Sequence, residues 1–250
     1  MNQALEIDSV SKSFGGLRAV DEVSLTVDAG DAMGVIGPNG AGKTTLFNLI
    51  SGILRPDSGS IRLEGRTISG LKPQEISRLG VARTFQTPRP FGRMSVLENV
   101  MVGLLFGRRR SMSVGVARRR SSEVLDLVSL EHKSGTLAVA LTLSEQRRLE
   151  LARALATDPK VLILDEVMAG LTRPESIEMV SIIKLAKQEG RLTLLVTEHL
   201  TRAIVELCNR LTVMNRGVIL AEGAPPEVLR KEGVVYAYMG VRTRGNSLPS

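Results

Sequence analysis

The stretch Gly37-Pro38-Asn39-Gly40-Ala41-Gly42-Lys43-Thr44 decides the reading of this chain. It fills every specified position of the phosphate-binding pattern G-x-x-x-x-G-K-[ST]. An apolar run, Ala32 to Ile36, leads into it, and Thr44-Thr45-Leu46-Phe47-Asn48-Leu49-Ile50 follows with helical character. Strand, loop and helix thus stand in the order the pattern requires. Glycines let the backbone turn tightly around an anion and aim several N–H groups at it. The helix N-terminus adds a favourable dipole. Lys43 is expected to reach the β- and γ-phosphates of a nucleotide, and the Thr44 hydroxyl to sit on Mg²⁺. The expected nucleotide contacts run from Gly37 through Pro38, Asn39, Gly40, Ala41, Gly42, Lys43 and Thr44 to Thr45.

Further along lies Val161-Leu162-Ile163-Leu164-Asp165-Glu166. Its continuous apolar run suits a parallel strand buried on both faces. Acids directly after such a strand fall at its C-terminal edge, where open α/β sheets bind ligands. Asp165 suits the Mg²⁺ shell, and Glu166 suits orienting or deprotonating an attacking water. The plainer alternative is an acid pair capping a turn. Leu194-Leu195-Val196-Thr197-Glu198-His199 is another apolar strand, ending in a histidine able to hydrogen-bond a γ-phosphate. The other histidine, His132, has no comparable setting.

Composition bounds what else the chain can be. Its 250 residues can bury a sizeable core, and 43% hydrophobic content with mean hydropathy +0.08 suits a folded globule. No apolar stretch is long enough to span a bilayer, and the first residues carry no secretory signature. Cys208 is the single cysteine, so intrachain disulfides are excluded. It sits in an apolar-periodic stretch and is expected to be a buried small hydrophobe. A reducing cytoplasm fits these features. The net charge is +7, with arginines crowded at Arg108-Arg109-Arg110 and Arg118-Arg119-Arg120. Aromatics make up only 3% and none interleaves with those arginines, so no base-stacking platform is built and nucleic acid is not an expected partner. A solvated face, or one near anionic lipid headgroups, suits the arginines better.

Strands alternate with helical stretches along most of the chain, which implies an α/β fold with a parallel sheet. Leu5 to Val27 reads as two strands around Gly15-Gly16, Pro73 to Leu79 as a helix opened by proline, and Val81 to Phe85 as a strand. From Thr87 to Thr157 the pattern is mainly helical, an inserted subdomain. Residues 241–250 read as a loose tail.

In order and spacing, these elements resemble the nucleotide-binding subunit of an ABC transporter over about residues 5–240. Gln86 in Arg83-Thr84-Phe85-Gln86-Thr87 resembles the Q-loop glutamine, which senses Mg²⁺ and the membrane partner. Phe14 in Ser11-Lys12-Ser13-Phe14-Gly15-Gly16 resembles the A-loop aromatic that stacks on adenine. His199 resembles the H-switch histidine. The resemblance implies one ABC ATPase domain over residues 1–240: a phosphate-loop NTPase core, an antiparallel β subdomain and a helical subdomain near 87–157. It implies ATP and Mg²⁺ as cofactors, with Thr44, Gln86 and Asp165 toward the metal. It also implies transmembrane permease subunits as partners and a place at the cytoplasmic face of the cell membrane.

Two elements depart from the family pattern. Where the family carries Leu-Ser-Gly-Gly-Gln, this chain has Leu141-Thr142-Leu143-Ser144-Glu145. Thr142 supplies a hydroxyl, but Leu143 and Ser144 replace two glycines whose bare backbone approaches a phosphate. Thr172 stands where the family's D-loop aspartate falls. The family sandwiches each ATP between the phosphate loop of one chain and the signature of another. The expected partner is therefore a related but different ABC ATPase chain. Gly80 to Phe91, Met94 to Val100, Gln146 to Leu155, Thr197-Glu198-His199 and Ala221-Glu222-Gly223 resemble importers of branched-chain amino acids and related solutes. Such importers work with an extracytoplasmic solute-binding protein. The chain stops soon after the expected end of the fold, which leaves out the regulatory domain of some sugar importers. A lipopolysaccharide-exporter ATPase is the nearest rival within the family. A soluble ABC ATPase would add a long coiled coil or a second module, and a GTPase would need an Asn-Lys-x-Asp run. None of these is present in the sequence.

Overall fold

A computed structural model describes residues 3–108, 112–190, 192–198 and 201–239. Its elements are β1 (Gln3–Phe14), β2 (Leu17–Asp28), β3 (Ala32–Ile36), α1 (Lys43–Ile50), β4 (Ser58–Leu63), β5 (Arg66–Thr67), α2 (Pro73–Leu79) and β6 (Val81–Arg83). Then come α3 (Val96–Phe106), α4 (Val114–Leu127), α5 (Leu143–Ala156), β7 (Val161–Asp165), α6 (Arg173–Gly190), β8 (Thr193–Thr197) and α7 (Thr201–Leu207). The last are β9 (Arg210–Asn215), β10 (Val218–Gly223), α8 (Pro225–Val228) and α9 (Glu232–Met239).

The strands form two sheets. A four-stranded antiparallel sheet has the order β2-β1-β4-β5, and a six-stranded sheet has the order β10-β9-β3-β8-β7-β6. In the larger sheet β6, β7, β8, β3 and β9 are parallel, and β10 closes one edge antiparallel to β9. Every residue of β3, β7 and β8 is buried, including Asp165 at the end of β7 and Thr193 and Thr197 at the ends of β8, as suits parallel strands covered on both faces. Alternate residues serve two cores, because successive side chains leave a strand on opposite faces. Leu162 and Leu164 of β7 face a core shared with α3, α4, α5 and α6. Val161 and Ile163 face another, shared with α1 and the antiparallel sheet. In that second core α1 is wedged between the sheets by Leu46, Phe47, Leu49 and Ile50. The helix after the phosphate loop is thus clamped from both sides.

The helical stretch holds α3, α4 and α5 between residues 96 and 156. Ser95 and Glu98 cap α3 reciprocally: the Glu98 N–H donates to Ser95 Oγ, and the Ser95 N–H donates to the Glu98 carboxylate at 2.7 Å. Asn99, fully buried, pins the preceding loop by accepting from the Phe91 N–H at 2.8 Å and donating to Phe91 O at 3.1 Å. Cys208 is buried, and burial pushes its thiol up to about 12. Arg118 and Arg119 on α4 are exposed, whereas Arg109, Arg110 and the tail 241–250 lie outside the described residues.

Candidate nucleotide site

The loop between β3 and α1 is built on glycines whose conformations other residues resist. Gly37 has φ 155° and Gly42 has φ 103°. A Cβ on Gly37 would lie 2.1 Å from Met214 O, and one on Gly42 would lie 2.3 Å from Ala19 O. The loop is pressed against β9 on one side and β2 on the other. Gly40 (φ 79°) has open space around it, as the outer bend of an anion cradle needs. The Lys43 ammonium is buried and bonds the loop's own carbonyls, 2.6 Å from Gly37 O and 3.1 Å from Pro38 O. Burial pushes it below the ordinary lysine value, partly offset by the nearby Glu166 and Asp165 carboxylates. The loop follows the C-terminal end of β3, and Asp165 and Glu166 stand at the same end of β7, the two strands flanking β8 in one parallel sheet.

Asp165 ends β7, and Glu166 follows in a left-handed conformation, φ 50°. Such a conformation costs a residue with a Cβ about 1–2 kcal/mol. The Glu166 N–H donates to Thr197 O at 3.0 Å, fastening the acid to the end of β8. Gln86 reaches across and donates from Nε2 to Glu166 Oε2 at 2.7 Å. The structure thus brings together Lys43, Gln86, Asp165 and Glu166 at the C-terminal edge of the parallel sheet.

Sequence reading missed Arg83 in this neighbourhood. It donates from Nη2 to Asp165 Oδ2 at 2.7 Å and from Nη1 to Asn48 Oδ1 at 2.7 Å, with both charged side chains nearly inaccessible. Its one visible signal was a charge closing an otherwise apolar strand. The strand expected to run to Phe85 ends at Arg83 instead. The Phe85 N–H turns away to Glu150 Oε1, 2.6 Å off on α5.

The remaining candidates lie on flanking elements. Phe14, at the end of β1, is 47% exposed with the Lys12 ammonium 5.8 Å over its ring. Thr142 is the N-cap of α5: its hydroxyl accepts from the Glu145 N–H, and its own N–H donates to Glu145 Oε2 at 2.9 Å. Leu143 packs against Gly170, where an added Cβ would sit 2.9 Å from Leu143 Cδ2. Thr172 donates through both N–H and hydroxyl to Glu175 Oε2 at 2.7 Å. From α5, buried Arg147 ties the segments after β6 and β7 together, donating to Phe85 O at 3.2 Å and Ala169 O at 3.1 Å. His199 lies outside the described residues.

A groove of about 280 Å³ opens beside Phe85, lined among others by Ile53, Pro73, Arg83, Glu150 and Arg153. Burial pushes the Glu150 carboxyl above the ordinary range, and its Oε2 has no hydrogen-bond partner among the described residues.

The residues present fit a nucleotide with a hard divalent cation. The cradle is open at Gly40, the buried ammonium rests on carbonyls that a phosphate can replace, and Thr44, Gln86 and Asp165 offer oxygen ligands of the kind Mg²⁺ takes.

Comparison with known proteins agrees with this geometry. A family profile described as "ABC transporter" matches residues 20–169. The high-affinity branched-chain amino acid transport ATP-binding protein LivG of Salmonella typhimurium is 38% identical over 252 residues, covering 94% of this chain and 97% of that protein. The lipopolysaccharide export system ATP-binding protein LptB of Escherichia coli is 36% identical over 236 residues, covering 94% of this chain and 97% of that protein. Among solved structures, the ADP conformation of MJ1267, an ATP-binding cassette of an ABC transporter, superposes with TM-score 0.86 at 32% identity, covering 96% of this chain and 100% of that one. With a profile over more than half its length and relatives spanning nearly all of it, the chain belongs to the ABC transporter family and has the fold of its ATP-binding cassettes.

Proposed function

We propose that this chain binds and hydrolyses ATP to drive a membrane transporter, an importer of branched-chain amino acids or related small solutes. The observation that carries the reading is the convergence, at one edge of the parallel sheet, of the Lys43 loop and its helix α1 with Asp165, tied to Asn48 of α1 through Arg83, and with the Gln86–Glu166 pair. In this account residues Gly37 to Thr45 hold the phosphates through backbone N–H groups, Lys43 neutralises the β- and γ-phosphates, and Phe14 stacks on the adenine. Thr44, Asp165 and Gln86 would hold Mg²⁺, which would supply charge neutralisation at the phosphates. Glu166 orients or deprotonates the attacking water, and His199 takes the role of a hydrogen-bond donor to the γ-phosphate. Positioning and fixed charge carry the catalysis, since phosphoryl transfer asks for little covalent chemistry from the protein.

The partners follow from the surfaces. The groove beside Phe85 suits a permease segment that brings a donor to Glu150 Oε2. Among the described residues no helix is long and apolar enough to cross a membrane, so the proposed place at the cytoplasmic face depends on such docking. The second ATPase chain is a related but different one. Leu143 and Ser144 stand where a phosphate-facing backbone should be bare, and Leu143 is already engaged against Gly170. An extracytoplasmic solute-binding protein completes the assembly. Likeness to LptB keeps a lipopolysaccharide-type exporter as the second reading. Purifying the tagged chain from solubilised membranes tests both. Permeases and a second ATPase, with uptake of branched-chain amino acids in vesicles, support the first. Export components favour the second, and ribosomes or nucleic acid contradict both.

A further inference from the structure

Arg83 makes more contacts than a buried counter-charge needs. One prong of its guanidinium donates to Asp165 Oδ2 at 2.7 Å. The other donates to Asn48 Oδ1 at 2.7 Å and to Ser51 Oγ at 3.2 Å, both at the end of α1. The rings of Phe47 and Phe85 flank it, 5.8 and 5.4 Å from the guanidinium carbon. The planar fork is thus fixed in place, as a lysine ammonium could not be. Asn48 lies one helical turn beyond Thr44 on α1, and Asp165 ends β7. Two oxygen ligands proposed for Mg²⁺ therefore sit on separate elements that this one side chain bridges. The Arg83 contact occupies Oδ2 and leaves Oδ1 of Asp165 for the metal's shell.

We propose that Arg83 is a positioning residue for the metal carboxylate, locking Asp165 of β7 in register with Thr44 of α1. The inference rests on the assignment of Asp165 to Mg²⁺ made above. Arg83 and Phe85 also line the groove, so an occupant of the groove reaches the metal ligand through Arg83.

The test reads metal binding without turnover. Mn²⁺ affinity in the presence of ADP is measured by electron paramagnetic resonance, and affinity for a fluorescent ADP is measured in EDTA, on the purified full chain. Arg83→Ala should weaken Mn²⁺ binding by about tenfold, the low end of what lost outer-shell partners cost, while metal-free ADP affinity stays put. Arg83→Lys, which keeps the charge but cannot span Asn48 and Asp165 together, should fall between. Asn48→Ala, which loosens the anchor and keeps the ion pair, should weaken Mn²⁺ binding in the same direction and carries the test should Arg83→Ala fail to fold. Unchanged or tighter Mn²⁺ binding in the Arg83 variants, with binding lost in Asp165→Asn, overturns the inference alone. Metal affinity retained in Asp165→Asn overturns the assignment of Asp165 and this inference with it.

Discussion

Gln86 donates its side-chain N–H to Glu166 at 2.7 Å, joining the segment after β6 to the acid after β7. The bond uses the nitrogen end of the amide and leaves Oε1, the end that can ligate a cation. Phe85, the residue before Gln86, lines the groove and is held from α5 on both its N–H and its carbonyl. A displacement of the groove wall therefore reaches the proposed base through a single residue step. This gives the proposed coupling between docking and hydrolysis a physical path made of named bonds.

Lys43 should be indispensable for the triphosphate. Its ammonium is buried against Gly37 and Pro38 carbonyls, so the charge is in place before nucleotide arrives. Lys43→Ala should abolish measurable ATP binding in a fluorescent-nucleotide titration while leaving the fold intact by circular dichroism. Retained affinity would move the phosphates off this loop.

Phe14 is not a core residue: it is 47% exposed at the end of β1. Phe14→Ala should weaken ATP by about 1–3 kcal/mol, the range for a base stacked on an aromatic side chain. Calorimetric titration of both proteins reads the difference, and equal affinities would free Phe14 of that role.

Restoring the signature glycines should restore the donated half of the composite site. Leu143→Gly combined with Ser144→Gly should raise ATP hydrolysis by the isolated chain, with a steeper dependence on protein concentration as self-pairing becomes productive. A wild-type homodimer already fully active would remove the case for a different partner chain.

Cys208 should resist alkylation in the native state. The thiolate is the reactive form, and burial holds the thiol up to about 12 from an ordinary 9.0. The pH dependence follows in sign. A group raised on folding contributes stability below its unfolded value and loses it as pH climbs toward the folded one, here from 9.0 to about 12. Iodoacetamide at pH 8 should label Cys208 only after denaturation. Rapid native labelling would show that the stretch 204–208 opens.

Much of this arrangement was legible in the sequence, for definite reasons. The Gly37–Thr44 spacing matches one anion-binding loop, and the short apolar runs within β3, β7 and β8 suit strands of a sheet covered on both sides. Placing Asp165 and Glu166 at one sheet edge followed from the length of the run before them. Arg83 was not legible, because its partners Asn48, Ser51 and Asp165 lie 32 to 82 residues away and only folding brings them together. The early end of β6 was hidden too, since the Asp165 N–H, which would have continued the ladder onto the Thr84 carbonyl, goes instead to the Thr84 hydroxyl at 3.2 Å. Nor does the sequence reveal that the Lys43 ammonium is held by its own loop.

Glu166 is the proposed base for hydrolysis of a nucleotide held by the Lys43 loop. Phosphate release and fluorescent-ATP binding measured on the same preparations of wild type and Glu166→Gln test it most directly. Glu166→Gln should bind ATP as tightly as wild type or more tightly, with turnover nearly abolished. Near-normal phosphate release by Glu166→Gln would contradict it.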